Sequence, residues 1–386
     1  MSIHCRLCLE KLRNRPLYSR QGAPVLNNVV FDSENQARES EVGSICLIQC
    51  HRCGLVFNHN FEKEKIIYDA RYDNTRSHSP SYDRYLNYLT GFFSGRLTPE
   101  SRVIEIGCGN GDFIKKLSES SGCHAEGYDA AYRGPLQYSE KVSFSRGTFV
   151  KENRDRQFSL LILRHVLEHI PDLNYFLKTV SQSIPFREDA VLFVEVPDFE
   201  WILERGAYFD ITYEHCNYFL SSTLVRCAAQ MGFRPARAVK AYDNQYIVLE
   251  AERAGTDTLS VSTYGLTGKE VSVRFRTARR RFLKRISSMK NICVWGASGK
   301  GAIFLSDLPG YLRKKVRFAI DINPSKQGKF LPHSGIRIVN PCELMKLRHK
   351  PAIIIMNEFY EREIRKKVSS MGITASFISF IKTGIV

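Results

Sequence analysis

The amino-acid sequence predicts an α/β protein in three parts: a small metal-binding module, a central doubly wound sheet, and a second, smaller sheet of the same type. Two Cys-x-x-Cys pairs indicate the first part. Two units of apolar strand, glycine-rich turn and helix indicate the others, because such a unit opens a parallel sheet covered by helices. With 386 residues, 43% hydrophobic and 25% charged, the chain is long enough for two or three folded domains.

The metal-binding module contains its cysteine pairs at positions 5–8 and 50–53. Two residues between the cysteines of a pair let both thiolates reach one ion, and two pairs complete a tetrahedral Zn²⁺ site. We therefore predict four zinc ligands: Cys5, Cys8, Cys50 and Cys53. This closed site is structural, because it leaves no coordination position for chemistry. Unligated buried cysteines or a redox pair are the alternative, and three neighbours compete for a ligand position: His4, Cys46 and His51.

The order of segments predicts three domains. We expect a zinc-ribbon-like domain at 1–70, a central domain at 71–255 and a Rossmann-like C-terminal domain at 256–386, after small polar residues at 256–258. A tyrosine-rich segment leads into the central sheet. Its tyrosines pack along one helix face or partly line a substrate pocket. They are Tyr68, Tyr72, Tyr82, Tyr85 and Tyr88.

The most informative stretch is residues 105–111, which follow the apolar run 102–104. Its form, E-x-G-x-G-x-G, fits the loop that binds S-adenosylmethionine (SAM) better than the dinucleotide fingerprint, whose third glycine lies one residue later. We predict cofactor contacts from Glu105, Gly107, Cys108, Gly109, Asn110 and Gly111. Asp129 ends the next strand, 124–129, where a carboxylate can accept hydrogen bonds from ribose hydroxyls. Methyl transfer is therefore the leading hypothesis.

A later strand, 158–163, and the segment 164–173 support this hypothesis. Together they resemble the fourth strand and following helix of class I SAM-dependent methyltransferases. The resemblance implies that Arg164 and His165 contact the cofactor and that His169 lies near the substrate. A Rossmann-like sheet that binds another ligand is the alternative.

The segment 209–219 brings a phenol, a carboxylate and an imidazole together in Tyr213, Glu214 and His215. General base catalysis near neutral pH needs such a group, and we expect the segment to form a loop. The alternative is a histidine with a purely structural hydrogen bond.

The third part contains a basic helix at 274–286, the strand 291–295 and a glycine turn at 296–301. This turn either binds a phosphate with help from Lys300 or only allows tight packing. It is not a Walker A loop, because the spacing of its glycines and the Ser or Thr after the lysine are missing.

The net charge suggests a second class of enzyme, a nucleic-acid methyltransferase. Such an enzyme would fit the charge of +16, the pI of about 9.4 and the zinc module. The distribution argues against it, since residues 251–386 contain 26 Lys and Arg against 9 Asp and Glu, and the first 250 contain 30 against 31. The predicted site is thus not basic. A non-catalytic scaffold of the same fold is a third class.

Cellular location is predicted from three features of the sequence. No apolar stretch approaches the roughly 20 residues that span a bilayer, and the N-terminus has no signal-peptide core. Paired cysteines also suit a reducing compartment. We therefore expect a soluble, cytoplasmic protein without a membrane partner.

Taken together, these motifs and the segments 321–332 and 353–359 resemble the bacterial nucleotide-sugar C-methyltransferases of deoxysugar pathways, over essentially the whole chain. The resemblance implies a dTDP-4-keto-deoxysugar methylated at carbon 3. It also implies His215 as base, with Glu214, Tyr213 and His169 beside it. The family typically has Tyr-His-Glu-His where this chain has Thr-Tyr-Glu-His at 212–215, so the tyrosine is displaced or replaced.

The implied chemistry is removal of a proton next to a ketone, followed by methylation of the resulting enolate. His215 would take the proton, and Tyr213 or His169 would hydrogen-bond the enolate oxygen. The same residues could deprotonate a hydroxyl, so O- or N-methylation of another nucleotide sugar or small molecule stays an alternative. The oligomeric state is not predicted.

Overall fold

The computed structural model describes residues 3–67, 72–73, 78–147, 149, 157–253 and 265–380. Tyr68 and the polar boundary at 256–258 lie outside the described residues, as do both predicted internal domain boundaries. The domain limits therefore stay predictions. In the part of the chain described here, no helix is long and apolar enough to cross a membrane.

The N-terminal part is built from short antiparallel strands around the cysteine pairs. A two-stranded ribbon precedes a small sheet that contains one helix between its first two strands. The elements are β1 (Ile3–His4), β2 (Lys11–Leu12), β3 (Tyr18–Pro24), α1 (Glu34–Arg38), β4 (Val42–Gln49) and β5 (Val56–Asn58).

The central part begins with three helices and five parallel strands. They are α2 (Pro80–Ser94), β6 (Arg102–Ile106), α3 (Asp112–Ser121), β7 (His124–Asp129), β8 (Val142–Arg146), β9 (Phe158–Arg164), α4 (Leu173–Ser183) and β10 (Phe186–Pro197). The apolar run in β9 is buried on both faces, as expected of an inner parallel strand. Ser79 caps α2 by accepting a hydrogen bond from the Tyr82 amide, and Pro80 is its first residue.

The chain then leaves this sheet and returns to its edge. After α5 (Phe199–Arg205) come β11 (Asn217–Tyr218), α6 (Ser221–Gln230), β12 (Phe233–Ala241) and β13 (Tyr246–Arg253). The last two strands run antiparallel, which gives seven strands in the order β12-β13-β10-β9-β6-β7-β8.

Strand β11 belongs to the N-terminal sheet, where it pairs with β5 in the order β11-β5-β4-β3. Asn217 lies opposite Phe57, and Tyr218 lies opposite Val56. The sequence predicts a loop over 209–219, and the short strand differs from that prediction because its partner lies some 160 residues earlier in the chain. The residues before β11 are therefore held between two sheets.

The C-terminal part is a five-stranded parallel sheet in the order β16-β15-β14-β17-β18. Its elements are α7 (Gly268–Ser287), β14 (Ile292–Trp295), α8 (Gly299–Asp307), α9 (Gly310–Arg313), β15 (Val316–Ile320), β16 (Ile338–Val339), β17 (Ala352–Ile355), α10 (Glu361–Ser370) and β18 (Ser376–Ser379). The strand order reverses at β14, which opens a crevice at the carboxyl ends of β14 and β17. The predicted three-part α/β class is confirmed.

One apolar core joins the three parts. Buried side chains from each part are in contact, including Ile45, Phe199, Tyr208, Phe275 and Phe304. Thr267 and Glu270 form a capping box at the start of α7, whose apolar face joins this core. The carboxyl ends of the central and C-terminal sheets face each other across a gap, whose walls include Pro197 and Trp295.

Candidate active site

The gap between the two sheets contains a cavity of about 290 Å³. The carboxyl ends of β9 and β10, the segment before β11 and the loops of the C-terminal sheet line it. Among the lining residues are Asn27, Tyr72, His78, His165, Glu168, His169, Asp210, Thr212, Glu214, His215, Ser298, Lys300, Asp321 and Asn357. Parts of the chain that are distant in sequence thus meet at one site.

Two of the predicted residues, His169 and His215, are in contact in the wall of this cavity. Their ring centroids are 4.9 Å apart, and the rings are nearly perpendicular at 86°. His169 Nδ1 lies 3.1 Å from the carbonyl oxygen of Glu214. The Asn217 amide donates to the carbonyls of Leu167 and Ile170 at 3.0 and 2.7 Å, so β11 also holds the turn that contains His169.

Glu168 adds a buried carboxylate to the two imidazoles. One oxygen of Glu168 and one nitrogen each of His169 and His215 all lie within 4.8 Å of one another. His165 approaches Glu168 at 3.4 Å. Burial alone raises the pKa of Glu168, but the hydrogen bond from His165 and the nearby histidine charges lower it overall. Glu168 lies in the segment 164–173 but is not among the predicted site residues.

Glu214 lines the cavity and is fixed by Asn27, which the sequence did not single out, and by Tyr72, one of the tyrosines with a possible place in a substrate pocket. Its carboxylate accepts a hydrogen bond from the Asn27 amide and another from the Tyr72 hydroxyl, the latter at 3.0 Å. Burial raises the pKa of Glu214. No local motif could have indicated these partners, because Tyr72 precedes Glu214 by 142 residues.

Tyr213 is not brought to the cavity. Its ring is fully buried in the core, where it packs against Gly43 and stacks on Phe61 at a centroid distance of 5.5 Å. The Tyr213 hydroxyl accepts a hydrogen bond from the Glu62 amide at 2.9 Å. Thr212 lines the cavity instead. The ring faces the core because the space opposite Gly43 accommodates it.

The glycine turn after β6 has the backbone that its sequence requires. Gly107, Gly109 and Gly111 have φ angles of +77°, +57° and +76°, in the left-handed region that favours glycine. A Cβ on Gly107 would lie 2.3 Å from the Val166 side chain. Asp129 accepts a hydrogen bond from the Gly109 amide at 2.8 Å, so this carboxylate lies at the turn.

The remaining predicted residues of the turn differ in exposure. Cys108 is buried, whereas Asn110 is exposed and its carbonyl accepts a hydrogen bond from Lys115 at 2.7 Å. Glu105 is buried inside β6, and burial raises its pKa to about 8. A carboxyl group in that state is protonated near neutral pH.

A buried charge network lies between this turn and the cavity. Arg164 forms an ion pair with Glu195 at 3.1 Å, and its guanidinium lies 4.8 Å from the Phe113 ring centroid. His165 Nε2 also lies 3.1 Å from Glu195, and His165 lines the cavity. The Tyr85 hydroxyl donates to Glu195. Burial raises the pKa of Glu195, but the Arg164 charge and further contacts lower it to about 2.

The four predicted zinc ligands converge in the N-terminal part. Their sulfur atoms lie within 4.8 Å of one another, with Cys5–Cys53 and Cys8–Cys50 separations of 3.4 and 3.5 Å. Zn–S bonds of about 2.3 Å give sulfur separations of about 3.8 Å in a tetrahedron, so the arrangement fits Zn²⁺. The Leu7 amide donates to the Cys5 sulfur. The three competing residues do not belong to this cluster among the described residues.

The C-terminal glycine turn contributes both to the cavity and to packing. Lys300 lies 3.0 Å from the Asp210 carboxylate, donates to Gln245 at 2.7 Å and lies over the Trp201 ring. Asp321 accepts a hydrogen bond from the Ala297 amide at 3.1 Å. A Cβ on Gly301 would lie 1.8 Å from a backbone oxygen, so this glycine is needed for packing.

A second cavity of about 720 Å³ adjoins the first, and Trp295 and Glu363 line both. Its rim carries four cationic side chains: Arg84, Arg362, Lys366 and Lys367. Glu363 accepts hydrogen bonds from the Ser79 hydroxyl and the Ser81 amide at 2.9 and 3.1 Å. The two cavities thus lie side by side, and the second has a basic rim.

The sequence is similar to two families of methyltransferase segments. Residues 80–237 match the family described as methyltransferase domain, and residues 236–381 match the family described as C-methyltransferase C-terminal domain. The C-methyltransferase NovU of Streptomyces niveus is 24% identical over 352 aligned residues, which cover 82% of this chain and 81% of that protein.

Two methyltransferases are among the solved structures that the chain matches. The magnesium protoporphyrin IX methyltransferase of Synechocystis is 14% identical, and the match covers 50% of this chain and 93% of that chain with a TM-score of 0.35. The 1,6-didemethyltoxoflavin-N1-methyltransferase of Burkholderia thailandensis is also 14% identical, and its match covers 47% and 80% with a TM-score of 0.34.

The predicted methyltransferase class and the family resemblance are thus confirmed. The sequence matches span residues 80–381 and include the glycine turn and Asp129, whose carboxylate accepts a hydrogen bond from the Gly109 amide. The chain is a SAM-dependent methyltransferase, in which residues that match a methyltransferase domain precede residues that match a C-methyltransferase C-terminal domain.

Proposed function

We propose that this enzyme transfers a methyl group from SAM to a carbon atom of a nucleotide-activated 4-keto-deoxysugar. The similarity to a C-methyltransferase over most of the chain supports carbon as the acceptor. The observation that carries the proposal is the group formed by buried Glu168 and half-buried His169 and His215 in the wall of the cavity.

His215 is the proposed base. A carbon beside a ketone can lose a proton to an imidazole, because the negative charge moves to the ketone oxygen. The Glu168 carboxylate lies within 4.8 Å and stabilises the positive charge of the resulting imidazolium. His169 is proposed to donate from Nε2 to the enolate oxygen in its doubly protonated form, because its Nδ1 already donates to the Glu214 carbonyl at 3.1 Å.

The other predicted catalytic residues have different proposed roles. Glu214 is proposed to fix the catalytic segment through the Asn27 amide and the Tyr72 hydroxyl. Tyr213 is proposed to act through packing only, since its ring contacts the core. This leaves the enolate contact to His169.

SAM is proposed to bind at the glycine turn and the network behind it. SAM supplies an electrophilic methyl group, which a carbanion accepts. The left-handed glycines bring the backbone amides of the turn to the ligand, and Asp129 is placed to exchange its amide hydrogen bond for ribose hydroxyls. The proposed contacts are Glu105, Gly107, Cys108, Gly109, Asn110, Gly111, Asp129, Arg164 and His165.

The nucleotide of the substrate is proposed to bind at the C-terminal sheet. Open parallel sheets bind ligands at the point where the strand order reverses. In this sheet that point lies between β14 and β17 and faces the cavity. The basic rim of the second cavity, formed by Arg84, Arg362, Lys366 and Lys367, suits a diphosphate. A nucleotide diphosphate would also account for the positive charge of the C-terminal part.

The four cysteine thiolates are proposed to hold a structural Zn²⁺. Three of them are buried, and the Leu7 amide donates a hydrogen bond to the Cys5 sulfur. Four sulfur ligands would saturate a tetrahedral ion, so the metal would contribute folding energy and no Lewis acid chemistry.

Product analysis tests the proposal. The enzyme, ¹³C-methyl SAM and a panel of dTDP- and GDP-linked 4-keto-deoxysugars are incubated, and the products are examined by NMR. A methyl carbon bonded to a sugar carbon next to the ketone is the expected product. A methyl bonded to oxygen or nitrogen would contradict carbon transfer, and turnover of a substrate without a nucleotide would contradict the proposed substrate class.

A further inference from the structure

We infer that Arg6 is a positioning residue for catalysis: its guanidinium ties the segment that contains His215 to the first cysteine pair. The inference rests on the proposed role of His215 as base. The N-terminal module would then contribute to the reaction as well as to folding, because the position of His215 depends on the hydrogen bonds of Arg6.

The Arg6 side chain bridges two backbone carbonyls at the start of the β5–β11 pair. One guanidinium nitrogen donates to the carbonyl of Cys216 at 3.1 Å, and the other donates to the carbonyl of Asn58 at 2.8 Å. The Asn58 amide donates to the same Cys216 carbonyl at 2.9 Å. Cys216 follows His215 directly, so the bridge ends one residue from the proposed base.

Arg6 is itself held in place by its surroundings. It lies between Cys5 and Cys8, and its carbonyl accepts a hydrogen bond from the Asn174 amide at 2.8 Å. Its guanidinium lies over the rings of Phe57 and Phe61, at 5.3 and 5.4 Å from their centroids. The planar fork and the aromatic faces restrict the side chain to the orientation that reaches both carbonyls.

A displacement of Cys216 would move the imidazoles of both His215 and His169. The pair β5–β11 contains only two residues on the β11 side, so few other backbone bonds fix this end of the segment. Asn217, the next residue, holds the turn that contains His169 through the carbonyls of Leu167 and Ile170. Loss of the bridge should therefore change the geometry of the base, to which proton transfer is sensitive.

Arg52 provides a matched control within the same module. It lies in the second cysteine pair, but its side chain is 66% exposed and it pairs with Glu10 on the surface. Arg52→Ala removes an arginine next to a predicted zinc ligand without touching the catalytic segment. Arg6→Lys keeps the charge but cannot bridge two carbonyls with a planar fork.

The experiment measures four properties of wild type, Arg6→Ala, Arg6→Lys and Arg52→Ala: kcat and KM for the acceptor, zinc content, SAM affinity by calorimetry, and amide hydrogen exchange over 210–218. For Arg6→Ala we expect kcat to fall at least tenfold with unchanged zinc content and SAM affinity. Hydrogen exchange over 210–218 should rise. Arg6→Lys should lie between Arg6→Ala and wild type, and Arg52→Ala should match wild type.

Two results would overturn the inference. One is an Arg6→Ala enzyme with wild-type kcat and wild-type exchange over 210–218. The other is a loss of kcat that follows a loss of zinc or SAM binding in both Arg6 variants, because Arg6 would then serve only folding. The exchange measurement needs no acceptor, so it still reports on the bridge if the proposed substrate is wrong.

Discussion

Replacement of Glu168 by glutamine tests the electrostatic part of the proposed mechanism. The carboxylate lies at most 4.8 Å from a His215 nitrogen, and the substitution keeps the size of the side chain while removing its charge. When His215 accepts a proton, a positive charge forms beside this carboxylate. The variant must form that charge without it.

The size of the effect follows from the distance. Two unit charges 4.8 Å apart attract each other by about 3.5 kcal/mol at an effective dielectric constant of about 20. If about half of the charge has formed in the transition state, the loss is about 1.7 kcal/mol, or a rate about 20-fold lower. Screening by His165 and His169 reduces this figure, so we expect kcat to fall between about 5- and 20-fold.

The assay compares kcat, KM and SAM affinity of Glu168→Gln with those of wild type. Glu363→Gln is the matched control, because Glu363 also lines the cavity but accepts its hydrogen bonds from Ser79 and Ser81. A loss of kcat in Glu168→Gln with unchanged SAM affinity is expected. Equal kcat values in wild type and Glu168→Gln would refute the electrostatic argument.

Three further predictions concern the cofactor turn, the cysteine cluster and a buried acid. Gly107→Ala places a Cβ 2.3 Å from Val166 at a φ of +77°, so SAM affinity measured by calorimetry should fall at least tenfold; unchanged affinity would contradict the assigned turn. Replacement of Cys50 and Cys53 by serine should release zinc and lower the Tm, whereas full zinc content at an unchanged Tm would remove the zinc proposal. Glu105 has a pKa raised by burial to about 8, so the folded state holds its proton where the unfolded state has lost it. The contribution of Glu105 to stability therefore falls as pH rises, by up to about 1.4 kcal/mol per pH unit between about pH 5 and 8. Over that range, the stability of Glu105→Gln should increase relative to that of wild type. Parallel curves of stability against pH for the two proteins would contradict this prediction.

Local sequence motifs predicted those parts of the site that can be recognised from residues close together in the sequence. The left-handed turn at 105–111 follows from its glycines, and the convergence of the four cysteine sulfurs follows from the two Cys-x-x-Cys pairs. His169 and His215 were both singled out, and the structure brings their rings into contact. The glycine turn is short enough for its spacing to determine its geometry, whereas the cysteine pairs and the two histidines are recognisable by residue type and only the fold brings them together.

Features that depend on long-range packing were not predictable in this way. Tyr213 faces Gly43 and Phe61 because that part of the core accommodates its ring, and nothing in the local sequence distinguishes this face from the cavity. The partners of Glu214, Asn27 and Tyr72, come from distant segments. The pairing of β11 with β5 likewise joins residues some 160 positions apart.

The central claim is that His215 removes a proton from a sugar carbon beside a ketone. Deuterium incorporation from solvent into a 4-keto-deoxysugar nucleotide, followed by NMR, measures this step directly. We predict exchange at that carbon with wild type and with His78→Asn, a cavity-lining control, and at least a hundredfold slower exchange with His215→Asn. Exchange at the wild-type rate in His215→Asn would contradict the account.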